Sequence, residues 1–421
     1  MDSFVKQIKN IAEVIKADKS SHSYIVVRFD NTIDRYFFTD GEEFYADAKG
    51  NNALEAAEPW QNAHSILKSD FVNAAKSLKE GCTLQLLEGG TGIKFHVTKK
   101  SGAKETIAVK SSTRNPFPDF FNSPHCPARF KVEAENKKEF STLLKNANTL
   151  LVKEYRPYSE FLHFWFNESS GVKVEAIHGQ HIAHYMFPTK NDIVNGTNVC
   201  GTGDSVHIHK DHLNALAKLS EVSSADKYLE ISWAVLPHNE EKPWESKENA
   251  VTAMSWFGDN VIMLRWKMKA KESIRVPSTD QIGADLKCVG RLELNGILKT
   301  HFLKMLKDGA ENGHNTLVIR SGSNELEFLK GDSSRSIYCD GIVTKLCNTN
   351  EEWAAEINAK MLQDLLKFGK GANIALNFLT PASNFNENTL GTLQICEGEE
   401  GKEAHYGYAW LVIRDHAEEE Q

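Results

Sequence analysis

One pattern constrains this chain more than any other: a helix with lysines opposite an apolar stripe, followed by three strands, recurs about six times in 421 residues. Residues 129–187 show it most clearly. An alternating run (Phe130, Val132, Ala134) leads to a helix with Phe140, Leu143, Leu144 and Ala147 on one face and Asn136 as its expected N-cap. Strands are expected at 161–166, 172–177 and 181–187. The first copy has a helix over 4–17 and strands at 24–29, 33–38 and 43–48, with no evident opening strand. The second has a helix over 70–79 and strands at 83–87, 93–98 and 105–110. The fourth opens at 205–208, with a helix over 210–222 and strands at 228–234, 250–257 and 261–268. The fifth opens at 289–294, with a helix over 296–307 and strands at 316–320, 326–329 and 336–346. The sixth opens at 354–357, with a helix over 359–368 and strands at 374–379, 390–396 and 406–413.

Segments 113–128 (TRNPFPDFFNSPHCPA) and 271–283 (KESIRVPSTDQIG) interrupt the pattern after the second and fourth copies. The copies therefore pair into three expected domains, 1–118, 119–276 and 277–421, in keeping with a chain too long for one core. Helices alternating with antiparallel hairpins predict an α+β fold, each domain made of two βαβββ half-repeats with helices gathered on one face of the sheets. No apolar run is long enough to span a bilayer, and the start, MDSFVKQIKN, lacks the order of a secretory signal, so a cytoplasmic protein is expected. Seven scattered cysteines without a CxxC pair imply free thiols.

Net charge is −8, which argues against a nucleic-acid partner only if the charge is evenly spread. It is not. The repeated helices carry Lys6, Lys9, Lys16, Lys76, Lys79, Lys137, Lys138, Lys145, Lys210, Lys218, Lys299, Lys304, Lys307, Lys360 and Lys367, with Lys370 just beyond the last. Against these sixteen stand six acids: Glu13, Asp70, Glu139, Asp211, Glu221 and Asp364. A single lysine-bearing amphipathic helix is ordinarily a solvated face; six on equivalent elements imply a shared basic surface. Lysine is a flexible point charge suited to phosphates, and the scarcity of arginine in these helices points to contact without base reading.

With the six copies in place, the chain resembles the bacterial-type DNA polymerase sliding clamp, the β processivity subunit, in a divergent or phage-encoded version. Residues 174–183 (VEAIHGQHIA) are similar to the family's A-T-D-G-H-R-L-A turn, with Gly179 as the turn glycine and Ile182 for the leucine. His178, Gln180 and His181 depart from its D, H and R. Residues 115–121 (NPFPDFF) resemble its interdomain junction, and 408–414 (YAWLVIR) its closing Y-V-V-M-P-M-R, with Val412 in place of proline.

The resemblance implies a homodimeric ring with helices inside and sheets outside. Such a ring encircles double-stranded DNA without regard to sequence, is opened by a clamp loader, and tethers the replicative DNA polymerase, with no chemistry, cofactor or metal of its own. The lysines named above would face DNA. A partner-peptide pocket would use Ile177, Gly179, His181, Ile182, Pro277, Ala409, Leu411 and Ile413, and the subunit interface would join residues 71–95 to 302–321. Two alternatives stay open: a non-encircling interaction scaffold of the same fold, and a metal-dependent hydrolase built on His207, His209 and His212. The glycine loops at 89–92 and 200–205 match no phosphate-binding fingerprint and read as turns.

Overall fold

The computed structural model describes every residue except 1–3, 20–22, 42, 51–61, 80, 113–124, 152–155, 168–170, 189, 194–205, 223–225, 236–248, 258, 268–281, 283–284, 311–312, 339–340, 348–351, 370, 382–388, 399–403 and 416–421. Both expected linkers fall largely outside the described residues, and Pro277 and Lys370 lie outside them, but residues 125–128 of the first linker already belong to a strand.

The first copy consists of α1 (Phe4–Ala17), β1 (Tyr24–Asp30), β2 (Arg35–Thr39) and β3 (Phe44–Lys49). The second is β4 (His64–Leu67), α2 (Lys68–Ser77), β5 (Thr83–Gly89), β6 (Gly92–Thr98) and β7 (Lys104–Ser112). The third is β8 (His125–Val132), α3 (Lys137–Leu150), β9 (Phe161–Asn167), β10 (Gly171–Ile177) and β11 (His181–Pro188), trailed by the short β12 (Lys190–Ile193). The fourth is β13 (Val206–His209), α4 (Lys210–Val222), β14 (Leu229–Val235), β15 (Asn249–Phe257) and β16 (Asn260–Lys267). The fifth is β17 (Lys287–Leu294), α5 (Gly296–Gly309), β18 (Thr316–Arg320), β19 (Glu325–Lys330), β20 (Ser333–Tyr338) and the two-residue β21 (Lys345–Leu346). The sixth is β22 (Trp353–Asn358), α6 (Ala359–Phe368), β23 (Ile374–Thr380), β24 (Thr389–Glu397) and β25 (Ala404–Asp415).

Paired copies exchange their opening strands. The opener β8 of the third copy lies beside β14 of the fourth, and the fourth copy's β13 lies beside β9. The fifth copy's β17 pairs with β23, and the sixth copy's β22 with β18. The second copy's β4 pairs with β1, but the first copy has no opener among the described residues to return. Consequently β5 is the last strand of its sheet. Its pairing with β6 ends at Gly89 opposite Gly92, so alternation turns the peptide groups of Leu84, Leu86 and Glu88 to the bare side. There the Tyr36 hydroxyl donates to the Leu86 carbonyl at 2.8 Å, blunting the edge.

Closing strands follow a second rule. β3 pairs antiparallel with β16, and β11 with β25. Among the described residues the equivalent strands of the second and fifth copies have no such partner: residues 104–110 of β7 bond only β6, and β20 bonds only β19.

The chain divides into two compact units. Unit 1 comprises residues 1–148, 163–173 and 186–270; unit 2 comprises 149–162, 174–185 and 271–421. In unit 1, α1 buries Val5, Ile8, Ala12 and Ile15 at helical spacing and packs against α2 and α4. Phe38, Phe71 and Phe95 form one aromatic core, with ring centroids 5.4 and 5.9 Å apart, and Phe130, Phe140, Phe164 and Phe187 another. Each fully buried ring is worth about 1.5–3 kcal/mol by area. In unit 2, Trp353 is wholly buried against Phe378 at 4.7 Å, and its indole N–H donates to the Val289 carbonyl. Gly290 lies so close beneath that indole that a Cβ there would come within 2.0 Å of it, so no larger residue fits.

Three local expectations differ from the structure. Asn136 ends a 3₁₀ turn (Ala134–Asn136) that runs straight into α3, with Glu133 as the turn's N-cap, so it caps nothing. The single strand expected at 336–346 is two, because β20 follows β19 whereas β21 crosses to β17. The four-residue β4 and β12 carry too short an alternation to be read from sequence.

Candidate nucleic-acid interface

The helix lysines fall into three environments. Lys6, Lys16, Lys76, Lys138, Lys304 and Lys307 are exposed, and Lys9 is half-buried; Lys79, also exposed, lies beyond the end of α2 at Ser77 and not on the helix expected over 70–79. On α1 the exposed Lys6, Glu13 and Lys16 stand opposite the buried stripe, and on α3 Lys138, Thr142, Lys145 and Thr149 do the same. Between α1 and α2 lies a groove of about 120 Å³, floored by Ala12, Val72 and Ala75 and rimmed by Lys9, Lys16 and Lys76, with Glu13 the one acid. Three cationic heads over an apolar floor can hold an anion loosely, because the ammonium groups stay hydrated and free to move.

A second set is tied to carboxylates. Glu13 of α1 pairs with Lys218 of α4 at 2.6 Å, and Lys218 reaches Glu221 at 3.4 Å. Glu221 also accepts from Lys145 of α3, and from the Ser141 hydroxyl at 2.8 Å. Burial works against the Glu221 carboxylate, yet Lys145, Ser141 and Lys218 together hold its carboxyl below the usual range. Burial disfavours the Lys218 ammonium, but Glu13 and Glu221 overcome that and raise it. In α6, Lys360 and Lys367 flank Asp364 at 2.8 and 3.7 Å. Half-buried Lys210 begins α4.

Lys137 and Lys299 form the third set and differ from the expected DNA-facing role: each stands three and seven residues before buried side chains, Phe140 and Leu144 or Phe302 and Leu306. Lys137, at 5% exposure, begins α3, and burial depresses its ammonium with Asp226 opposing. Lys299 donates to the Gly371 and Gly369 carbonyls at 2.8 and 3.3 Å, and burial depresses it against the pull of Glu397. Both serve the fold where an exposed charge was expected. A count of charges also passes over Asn73 and Asn214, exposed amides on the same helices. Their helical phase was the available signal.

At the expected peptide pocket, the β10–β11 turn is closed by His178 N–H to the His181 carbonyl at 2.8 Å, and β11 lies beside β25 with His181 opposite Ala409 and Ile182 opposite Tyr408. The Trp410 N–H donates to the Gln180 carbonyl at 3.1 Å, extending the junction. Ile177, Ile182, Ala409, Leu411 and Ile413 are brought together here but are buried under the sheet, and Gly179 is half-buried at the turn. The side chains left at the surface are Gln180, Trp410, Val412 and, opposite Val412, Leu390 at 65% exposure. Strand alternation places residues 410 and 412 opposite in face to 409, 411 and 413, a signal the sequence reading did not use. His181 stacks on His178 at 4.6 Å and its Nε2 lies 3.3 Å from the Leu150 carbonyl. Burial, aided by His178, pushes its imidazole down to about 4, so it is neutral near pH 7.

His209 and His212 meet edge to face with ring centroids 6.2 Å apart, but His207 does not join them. His207 is buried beside His163, and His209 Nδ1 accepts from the Asp211 N–H, while His212 turns toward Asp18. Ligand atoms of Asp18, Glu43 and His212 do lie within 4.8 Å of one another. The Lys68 ammonium stands 3.8 Å from Asp18 and 2.9 Å from Asp40, already supplying positive charge there.

No protein-family model matches the sequence, and no curated protein matches it. Solved structures do. A DNA polymerase sliding clamp from Pseudomonas aeruginosa is 12% identical, with a TM-score of 0.64 over 98% of each chain. The DNA polymerase β subunit of Streptococcus pyogenes is 13% identical, with a TM-score of 0.60 over 97% of this chain and 98% of that one. A Helicobacter pylori β clamp bound to a DNA ligase peptide is 11% identical, with a TM-score of 0.61 over 96% and 97%. The chain has the fold of the bacterial sliding clamp over nearly its whole length. Among the described residues, no helix is long and apolar enough to cross a membrane.

Proposed function

We propose that this protein is a DNA sliding clamp: a homodimeric ring that encircles duplex DNA in the cytoplasm and tethers a replicative DNA polymerase, acting as a topological tether and not as an enzyme. Three domains, 1–118, 119–276 and 277–421, are each a pair of half-copies; the second and third pairs exchange opening strands, and in the first only the second copy's β4 crosses. The observation that carries this reading is the pair of closing strands left over. The first and fourth copies join through β3 and β16, and the third and sixth through β11 and β25. That leaves the β7 edge and the β20 edge for each other, in a second copy of the chain. A head-to-tail contact of this kind generates a closed ring when its rotation closes. Exposed lysines on the helices then give weak, sequence-independent phosphate contacts that slide, and a clamp loader would open the ring at one β7–β20 seam.

Partner peptides would dock where β10–β11 meets β25, over Gly179, Gln180, Trp410 and Val412. With neutral His181 in place of an arginine, this site offers apolar contact and amide bonding in preference to charge.

Solution mass tests the assembly. A dimer of about twice the 47.2 kDa chain is expected. The register of β19 with β20 turns the Ser336 N–H to the open side, so Ser336→Pro removes a seam hydrogen bond and leaves the β19 ladder intact. It should give a folded monomer that no longer supports processive primer extension. A wild-type chain that is monomeric at micromolar concentration would sink the proposal.

A further inference from the structure

The fold brings two of the scattered cysteines together on unit 2. Cys347 immediately follows β21, and its N–H donates to the Val289 carbonyl at 2.9 Å, extending the β17–β21 pairing in which Gly290 faces Leu346. In a regular ladder Cys347 would share a face with Val289 and not with Cys288. The register of β17 with β23 slips between Cys288 and Gly290, however, and this bulge re-aims Cys288. Its thiol, donating to the Gly290 carbonyl at 3.3 Å, lies within hydrogen-bonding reach of the Cys347 thiol. Both side chains are half-buried, open enough for a small oxidant. Cys82 and Cys396, the other described free cysteines, lie respectively in unit 1 and, buried, on β24.

We propose that Cys288 and Cys347 are a redox pair that closes to a disulfide on exposure to a peroxide and reopens with a thiol. In the first step the Cys347 thiolate attacks a peroxide oxygen; the O–O bond breaks, the departing oxygen takes a proton, and Cys347 becomes a sulfenic acid. In the second the Cys288 sulfur attacks the Cys347 sulfur. The S–O bond breaks, the S–S bond forms, and the Cys288 proton leaves with the hydroxyl as water. Two thiols are oxidised by two electrons, and one peroxide is reduced to two molecules of water, or to water and an alcohol. Burial and the neighbouring Cys347 push the Cys288 thiol up to about 11, which suits it to the resolving step and not to the initiating one. The link ties β21 to β17 and thereby anchors the segment that returns from the edge strand β20.

The full-length reduced chain is treated with hydrogen peroxide, and the product is measured by intact mass and peptide mapping. The expected product is lighter by about 2 Da, carries one peptide linking Cys288 to Cys347, and returns to the starting mass with dithiothreitol. Iodoacetamide labelling of both positions should fall at least tenfold while Cys82 labelling is unchanged. In Cys288→Ser the link is lost and Cys347 is trapped by dimedone as a sulfenic acid; in Cys347→Ser neither appears. These serine variants differ by one atom at half-exposed sites, and matching far-ultraviolet circular dichroism shows that they fold. A link from Cys347 to Cys339, or both thiols staying reduced while other cysteines oxidise, would overturn the assignment.

Discussion

The groove between α1 and α2 and the junction of α1, α3 and α4 are built from the same kind of sequence, lysine on amphipathic helices, yet differ in what their charges do. At the groove, Lys9, Lys16 and Lys76 have no ion pair among the described residues. At the junction, Lys145 and Lys218 are shared among Glu13 and Glu221, and the helices are stitched further by the Ser220 hydroxyl on the Lys137 carbonyl at 2.8 Å. Lysine number is therefore a poor measure of phosphate affinity. A lysine already neutralised by a neighbouring carboxylate releases no counterion when DNA arrives. Under the proposed function, the groove and the end of α5 are the places for DNA contact, whereas the junction holds the helix layer together.

Charge reversal at the unpaired positions tests this most severely. Lys16→Glu, Lys76→Glu, Lys304→Glu and Lys307→Glu combined should weaken duplex binding by on the order of 100-fold at low salt and flatten its salt dependence, with unchanged thermal stability. Equal loss from Lys145→Gln with Lys218→Gln would erase the distinction.

A smaller effect of opposite sign follows from Glu221→Gln, which frees Lys145 and Lys218. Duplex affinity should rise about threefold, while stability at pH 7 falls by about 1 kcal/mol or less, since the pairs are part-exposed. The Glu221 carboxyl is held below its ordinary value of 4.5. Its stabilisation is therefore full above that value and is lost as pH falls through the lower, folded one. Urea unfolding between pH 6 and pH 3 should show a steeper loss in the wild type than in Glu221→Gln.

Lys137→Met should do least. Its ammonium is buried and depressed, so an apolar replacement leaves duplex binding unchanged and stability equal or up to ~1 kcal/mol higher. A clear loss of DNA binding would return Lys137 to the interface.

The helices were legible because apolar spacing sets them: the bounds of α4 and α6 are those the 3.6-residue period predicts. Strand existence was legible too, but strand partnership was not. Nothing in residues 336–346 says that the chain leaves β19 for β17 midway, because pairing is decided by strands distant in sequence. Burial at a helix start was readable but is passed over by a count of charges. Lys137 and Lys138 are adjacent and identical, yet Lys137 stands three and seven residues before the buried Phe140 and Leu144 whereas Lys138 points away, a phase that a count of lysines ignores.

Because the fifth and sixth copies exchange their first strands, neither of them is self-sufficient. A cut between the fifth and sixth copies would take β22 from one half and β17 from the other, stranding two sheet edges with a single break. For these two copies the smallest separable module is the interlocked pair.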